Sequence, residues 1–257
     1  KEETLSICQS GIKKFPKDAS MQVLAMRAAV DLKNYEEALV HANIVMNTDS
    51  IKKNASIVSY YGLALAGNKQ YNEAIEQYMK ADDPKPLQYI SEAYKDLGDE
   101  DKALEYNQQY MDKNPNAAPT DFMKLAEIYI NKAKKDPAKK VENIEKAIGV
   151  YAKLAEKYPT LKPFAKLQEG NTAFQNELDD KAIPAYEDVI KDLEAKQCDA
   201  DEISYLKQAY QYMGFIYTYD KQDFDTAKPY FDKLLKLDPN NKIAKDAFEK
   251  AGIQPGA

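Results

Sequence analysis

The chain has one histidine, His41, and two cysteines, Cys8 and Cys198. These are the residue types most able to act as base or nucleophile near neutral pH. A nucleophilic triad needs a base beside the nucleophile and a third group to orient that base. A zinc site draws several ligands from His, Cys and carboxylates. With one histidine, no second is at hand to complete a metal pair. His41 lies beside Ala38 and Ala42 in an apolar-periodic stretch. Cys8 follows the stripe of Leu5, Ile7 and Ile12 and reads as a small packing residue. Cys198 neighbours Asp199, Asp201 and Glu202, whose charge opposes a thiolate. The Asp199-x-Asp201-Glu202 run lacks the further acids, central glycine and distal glutamate of a calcium loop. It is expected to cap a helix. Asp179-Asp180 likewise reads as a helix start, where carboxylates complement the dipole. No Gly-x4-Gly-Lys or Gly-x-Gly-x2-Gly phosphate loop occurs. The expectation is a protein without catalytic residues, cofactor or metal.

Charge narrows the partners. Lysine and arginine number 36 against 42 acids, a net charge of −6, which argues against a nucleic-acid binder. Arg27 is the sole arginine, so the forked reader of phosphates and carboxylates is nearly absent. Lys132, Lys134, Lys135, Lys139 and Lys140 surround Asp136 with no aromatic among them. They read as a solvated loop, with docking of an acidic partner as the alternative. No apolar run approaches the ~18 residues of a membrane span, so no membrane insertion is expected. The two cysteines allow at most one bridge, which leaves the redox compartment open. The chain starts at Lys1 rather than Met. That tilts the expectation toward an exported or periplasmic protein, and the Lys-, Asn-, Tyr- and Ile-rich composition toward a bacterial source.

The elements that must position these residues are helices. Length, 257 residues, suits one large domain or two small ones. Apolar residues recur three and four apart, as in Val141, Ile144, Ala147, Ile148, Tyr151, Leu154 and Ala155. Tight Asn-Gly and Asp-Gly hairpins are missing. Short breaks at Phe15-Pro16-Lys17-Asp18, Asp82-Asp83-Pro84, Asn114-Pro115-Asn116, Tyr158-Pro159-Thr160 and Asp238-Pro239-Asn240 stop one helix and cap the next. Helices of roughly 11 to 20 residues are expected between them.

A pattern repeats along the chain. From Tyr210, Met213-Gly214 is followed by Tyr217, Phe224, Ala227, Phe231 and Pro239. Similar frames are Met26, Ala29, Tyr35, Ala38 and Ala42; Tyr61-Gly62, Tyr71, Ala74, Tyr78 and Ala81; and Ile90-Ser91, Tyr94, Leu97-Gly98, Ala103 and Pro115. Two more are Leu125-Ala126, Tyr129, Ala147, Tyr151 and Pro159; and Gly170, Ala182, Tyr186 and Val189. The alanines fall at 38, 74, 103, 147, 182 and 227, spaced 36, 29, 44, 35 and 45 residues. This resembles the tetratricopeptide repeat, whose period is ~34 residues. Tyr210 stands at the motif's leading tryptophan, and one extra residue sits in the turn of that copy.

The resemblance implies an all-α, right-handed α-solenoid superhelix of antiparallel helix pairs, about 14 helices in all. Six repeats would cover 20–241. Residues 1–19 would hold the second helix of a preceding or truncated repeat, and 242–257 a capping helix and tail. Gly62, Gly170 and Gly214 would let paired helices approach, with Tyr78, Tyr151, Tyr186 and Phe231 filling the space beyond. The 44- and 45-residue spacings place extra length near Asn131–Lys140 and between Lys191 and Ser204. The 29-residue spacing implies a short second helix ending at Asp82-Asp83-Pro84.

Members of such a family bind peptides or partner helices in a concave groove lined by first helices. By register, that groove would draw on Arg27, Leu63, Glu92, Lys95, Glu127, Leu167, Asn171, Phe174, Gln175, Gln211, Phe215 and Tyr219, with Asp31 and Ser59 beside them. Leu167, Phe174, Phe215 and Tyr219 would anchor an apolar group, and the Asn171, Gln175 and Gln211 amides would bond a peptide backbone. The carboxylate clamp of chaperone-tail binders is not matched, because Val23, Arg27, Ser59 and Lys95 occupy its positions. The expected function is a non-enzymatic scaffold for a protein or peptide. The alternatives are a glycan or small-molecule binder on a bacterial envelope, suggested by nineteen tyrosines, and a homo-oligomer joined through the N-terminal repeat edge.

Overall fold

The computed structural model describes residues 1–16, 18–81 and 83–252. Fourteen α-helices and no strand occur among them. The first seven are α1 (Glu2–Lys14), α2 (Ala19–Asp31), α3 (Tyr35–Met46), α4 (Ala55–Gly67), α5 (Tyr71–Tyr78), α6 (Lys85–Asp96) and α7 (Glu100–Lys113). The rest are α8 (Pro119–Lys135), α9 (Lys140–Lys157), α10 (Lys162–Phe174), α11 (Asp179–Glu194), α12 (Ala200–Phe215), α13 (Phe224–Leu237) and α14 (Lys242–Ala251). The chain forms two compact units, 1–117 with α1 to α7 and 118–257 with α8 to α14. Within each unit every helix packs on the next, which makes a row of antiparallel hairpins. No described helix is long and apolar enough to cross a membrane.

Three hairpins, α4–α5, α10–α11 and α12–α13, share one contact type. A Cβ on Gly62 would stand 2.3 Å from Tyr78 Cε1, one on Gly170 2.6 Å from Tyr186 Cε1, and one on Gly214 2.5 Å from Phe231 Cε1. Each glycine thus seats the ring of the paired helix against bare backbone. Tyr78, Tyr186 and Phe231 are buried, and each such ring contributes about 1.5–3 kcal/mol by leaving water. The alanines at 38, 74, 103, 147, 182 and 227 are all 0% exposed, so the sequence period is also the packing period.

The hairpin turns explain the scarcity of glycine. Lys33, Lys69, Gly98, Glu177 and Gln222 all have φ between 54° and 80°. Each lies just before the second helix. The next residue closes the turn with a long backbone bond, as in Gln70 N–H to Leu65 O at 3.0 Å and Asp99 N–H to Tyr94 O at 2.9 Å. This left-handed closure normally recruits glycine, yet only Gly98 supplies it among the five.

Helix lengths run from 8 residues in α5 to 18 in α9, wider than expected. The short α5 matches the 29-residue spacing, and Asp82 of the break after it lies outside the described residues. Lys17 of the first break and the tail 253–257 do too. The extra length near Asn131–Lys140 goes into α8, a 3-10 turn at Pro137–Lys139 and α9. The extra turn residue after α12 is absorbed by a π turn, Ile216–Asp220, where Lys221 N–H reaches Ile216 O at 2.9 Å. Asp199 caps α12 by accepting from Glu202 N–H at 2.9 Å, and Asp179 opens α11. Cys8 and Cys198 are free thiols, and burial pushes both above the usual range.

Candidate functional site

Three successive first helices of the N-terminal unit, α2, α4 and α6, share a cleft of about 350 Å³. The α4 wall follows from its spacing. Asn54 accepts from Ile57 N–H at 3.0 Å and starts the helix. Ser56, Ser59, Tyr60 and Leu63 then fall at i, i+3, i+4 and i+7, on one face. Asp31 lines the cleft from α2, and Asp83, Lys85 and Tyr89 line it from the start of α6. Asp83 Oδ1 accepts from Lys85 N–H at 2.8 Å, which sets that entry.

The cations around the cleft have partners, although the buried Arg27 Nε makes no hydrogen bond. Arg27 donates from Nη2 to Ser56 Oγ at 3.2 Å, and its guanidinium lies 5.5 Å from the Tyr60 ring centre. Lys85 Nζ donates to Gln88 Oε1 at 2.6 Å and sits 5.7 Å from the Tyr89 ring centre. The Tyr89 ring also leans on Tyr78 at 5.3 Å. Ser59 donates its hydroxyl proton to Ala55 O at 2.7 Å, which leaves its oxygen as an acceptor. Asp31 pairs with Lys1 at 3.7 Å, between groups well open to water. Burial, reinforced by the charge of Glu92, the Tyr60 ring and Asp83, pushes the Tyr89 phenol up.

The C-terminal unit carries a different feature, a row of rings. Tyr186 stacks on Tyr212 at 5.4 Å, Tyr212 meets Phe174 at 4.9 Å, Phe174 meets Phe215 edge-on at 5.6 Å, and Phe215 meets Tyr219 at 4.7 Å. Tyr186 is buried, Tyr212, Phe174 and Phe215 are half-buried, and Tyr219 is 36% exposed, with Lys250 Nζ 5.3 Å from its ring centre.

The residues expected in a groove therefore divide. Leu63 lines the α2–α4–α6 cleft and Arg27 borders it through Ser56 and Tyr60, while Phe174, Phe215 and Tyr219 meet in the ring row. Leu167, read from register as a groove residue, is instead 1% exposed and part of the core that holds Tyr186 and Met213. Its i+3 and i+4 neighbours Gly170 and Asn171 face α11, and the leucine follows them inward. Asn171 accepts from the Tyr186 hydroxyl at 2.9 Å, and Gln211 accepts from Asn241 Nδ2 at 3.3 Å, so both amides serve intramolecular bonds. Gln175 is exposed at the C-cap of α10. Glu92 and Glu127 are exposed on α6 and α8, and Lys95 is half-buried on α6. Register reasoning missed Ser56, Tyr60, Lys85 and Tyr89. The signal was present in the 56-59-60-63 and 85-89 spacings, but Tyr60 was hidden behind the motif residue Tyr61. Elsewhere, His41 Nδ1 pairs with Gln22 Oε1 at 2.7 Å between α2 and α3, as a buried polar contact. Among the described residues, no three His, Cys, Asp or Glu side chains converge as a metal site.

Comparison with known proteins agrees with this architecture. Two family models, each described as tetratricopeptide repeat, match residues 122–160 and 207–241. No curated protein matches the sequence. Among solved structures, the C-terminal part of a TPR repeat-containing protein from Cytophaga hutchinsonii superposes with a TM-score of 0.74 at 21% identity, over 96% of this chain and 93% of that one. The MamA protein superposes with a TM-score of 0.53 at 16% identity, over 68% of this chain and 92% of that one. At these identities the likeness is one of fold.

Proposed function

We propose that this chain, a tetratricopeptide-repeat protein, is a non-enzymatic scaffold that holds an extended peptide segment of a partner protein along the first-helix face of its N-terminal unit. Such repeats typically mediate protein–protein interactions, and the present fold class is usually non-catalytic. The observation that carries the reading is the α2–α4–α6 cleft. Its volume lies at the lower end for ligand pockets, and it is open to water and carries hydroxyl and carboxylate groups able to bond a backbone. Phe174, Gln175, Phe215 and Tyr219 form a second contact surface on the C-terminal unit, through the exposed end of the ring row.

Selection of phage-displayed random heptapeptides tests this. Wild-type protein should enrich a peptide family, and Ser59→Trp, which fills the cleft, should lose it. Phe215→Ala should weaken binding less. Enrichment that survives Ser59→Trp, or none at all, would overturn the assignment.

A glycan-binding reading has one observation in its favour, since Tyr60 and Tyr89 are flanked by Asp31 and Asp83. Sugars stack on bare ring faces, however, and here Arg27 lies over one ring and Lys85 over the other. An oligosaccharide array separates the two. Retention of a glycan that is lost in Tyr60→Ala and Tyr89→Ala would replace the peptide with a sugar.

A further inference from the structure

We propose that the α2–α4–α6 cleft is a socket for one basic side chain, arginine or lysine, of the bound partner, with the Asp31 carboxylate as its counter-ion. The inference rests on the peptide-scaffold reading and names what its pocket selects.

Three observations point the same way. First, a volume of about 350 Å³ sits at the lower end for ligand pockets and is ample for one long side chain. Second, the free charge in the cleft is negative. Arg27 and Lys85 are bonded to Ser56 and Gln88 and lie over the Tyr60 and Tyr89 rings. Asp31 has only the long, water-exposed contact with Lys1. An anionic ligand would have to draw Lys85 off Gln88, whereas a cation has only the longer, solvent-screened Lys1 contact to displace from Asp31. Third, the walls suit the stem of the side chain as well as its head. Leu63 and Ala55 are apolar, and the Tyr60 and Tyr89 rings give edges and hydroxyl oxygens, which accept hydrogen bonds from an ammonium or guanidinium. The Ser59 hydroxyl, committed as a donor to Ala55 O, adds an acceptor. Among the side chains that line the cleft, acceptors therefore outnumber donors, and ligands rich in donors are the complement; the one orphaned donor beside it, Arg27 Nε, is buried away from water.

The test uses small probes, so it does not depend on finding the natural partner. N-acetyl-arginine methylamide is titrated into the full chain and followed by amide shifts in 56–63 and 85–89. The neutral isostere, N-acetyl-citrulline methylamide, serves as control. The arginine probe should bind at least tenfold more tightly than the citrulline probe. Asp31→Asn should erase that preference, while Lys85→Met, which removes the competing cation, should strengthen arginine binding about threefold. These opposite shifts guard against a general loss of fold. Equal binding of the two probes, an arginine preference that survives Asp31→Asn, or shifts confined to other parts of the chain would overturn the socket. Peptides selected on wild type and lost in Ser59→Trp, yet with no basic position in common, would do the same and leave the scaffold reading standing. No selected peptide, together with an Asp31-dependent arginine preference, would overturn the scaffold and keep the socket.

Discussion

The two units solve the same packing problem and then spend their first-helix faces differently. In the N-terminal unit Tyr78 closes on Gly62, and in the C-terminal unit Tyr186 closes on Gly170 and Phe231 on Gly214. Beyond that shared contact the faces diverge. The α2–α4–α6 face keeps hydroxyls and charges around an open cleft. The face from α10 to α12 turns its aromatic residues on one another, from Tyr186 out to Tyr219. The repeat motif constrains the residues between paired helices and leaves the outer face free, so binding chemistry varies where packing does not.

The largest effects should come from the shared contact. Tyr78→Ala and Tyr186→Ala should each cost about 3–5 kcal/mol, because each leaves a ring-sized void against a glycine that cannot fill it. Urea unfolding followed by circular dichroism measures both. A loss below about 1 kcal/mol in one unit alone would break the equivalence. Gly62→Ala and Gly214→Ala act on the same contact from the other side. Their new methyl must push a buried ring aside, at about 1–3 kcal/mol each.

That contact was the most legible part of the sequence. The alanine period, the glycines and their partner rings all stood in a motif, because close helix approach admits few residue types. The faces were much less legible. Phe174, Phe215 and Tyr219 read as a ligand anchor, and the structure joins them in a ring row of their own. Spacing gives the direction of a side chain but not the neighbour it meets across a helix pair. Leu167 was misplaced for a related reason, since a one-residue shift in register moves a side chain about 100° around a helix. The turns were hidden too. Lys33, Lys69, Glu177 and Gln222 hold a backbone conformation that glycine would have advertised.

The next prediction sharpens the contrast between faces. Phe174→Ala should destabilise by about 1–3 kcal/mol, since it removes two ring contacts worth about 0.5–1.5 kcal/mol each. Ser59→Ala should change stability by less than about 0.5 kcal/mol. The ring row would then hold the fold as well as present its outer end to a partner, while the cleft face would be free for ligand. Equal costs at the two positions would erase the distinction.

The turns test a smaller effect common to both units. Gly98→Ala places a Cβ at φ 80° and should cost about 1 kcal/mol. Lys69→Gly in the N-terminal unit and Glu177→Gly in the C-terminal unit relieve the same strain, offset in part by backbone entropy, and should each gain up to about 1 kcal/mol. Thermal melts of the three variants give the order.

The smallest expected difference is in pH dependence, where the units should run in opposite directions. In the N-terminal unit, burial holds the His41 imidazole below its ordinary 6.5, against the pull of Glu37. Its contribution to stability is therefore complete above pH 6.5 and is lost as pH falls through the folded value. In the C-terminal unit, burial pushes the Glu169 carboxyl above 4.5, against the pull of Lys166 and with Asp188 adding to the rise. Its contribution is complete below about pH 4.5 and is lost as pH rises through the folded value. His41→Gln should flatten the change in melting temperature between pH 7.5 and 5.5, and Glu169→Gln the change between pH 4 and 7. If His41→Gln left the first interval unaltered, the buried Gln22–His41 pair would be indifferent to protonation. The two units would then differ in their faces alone.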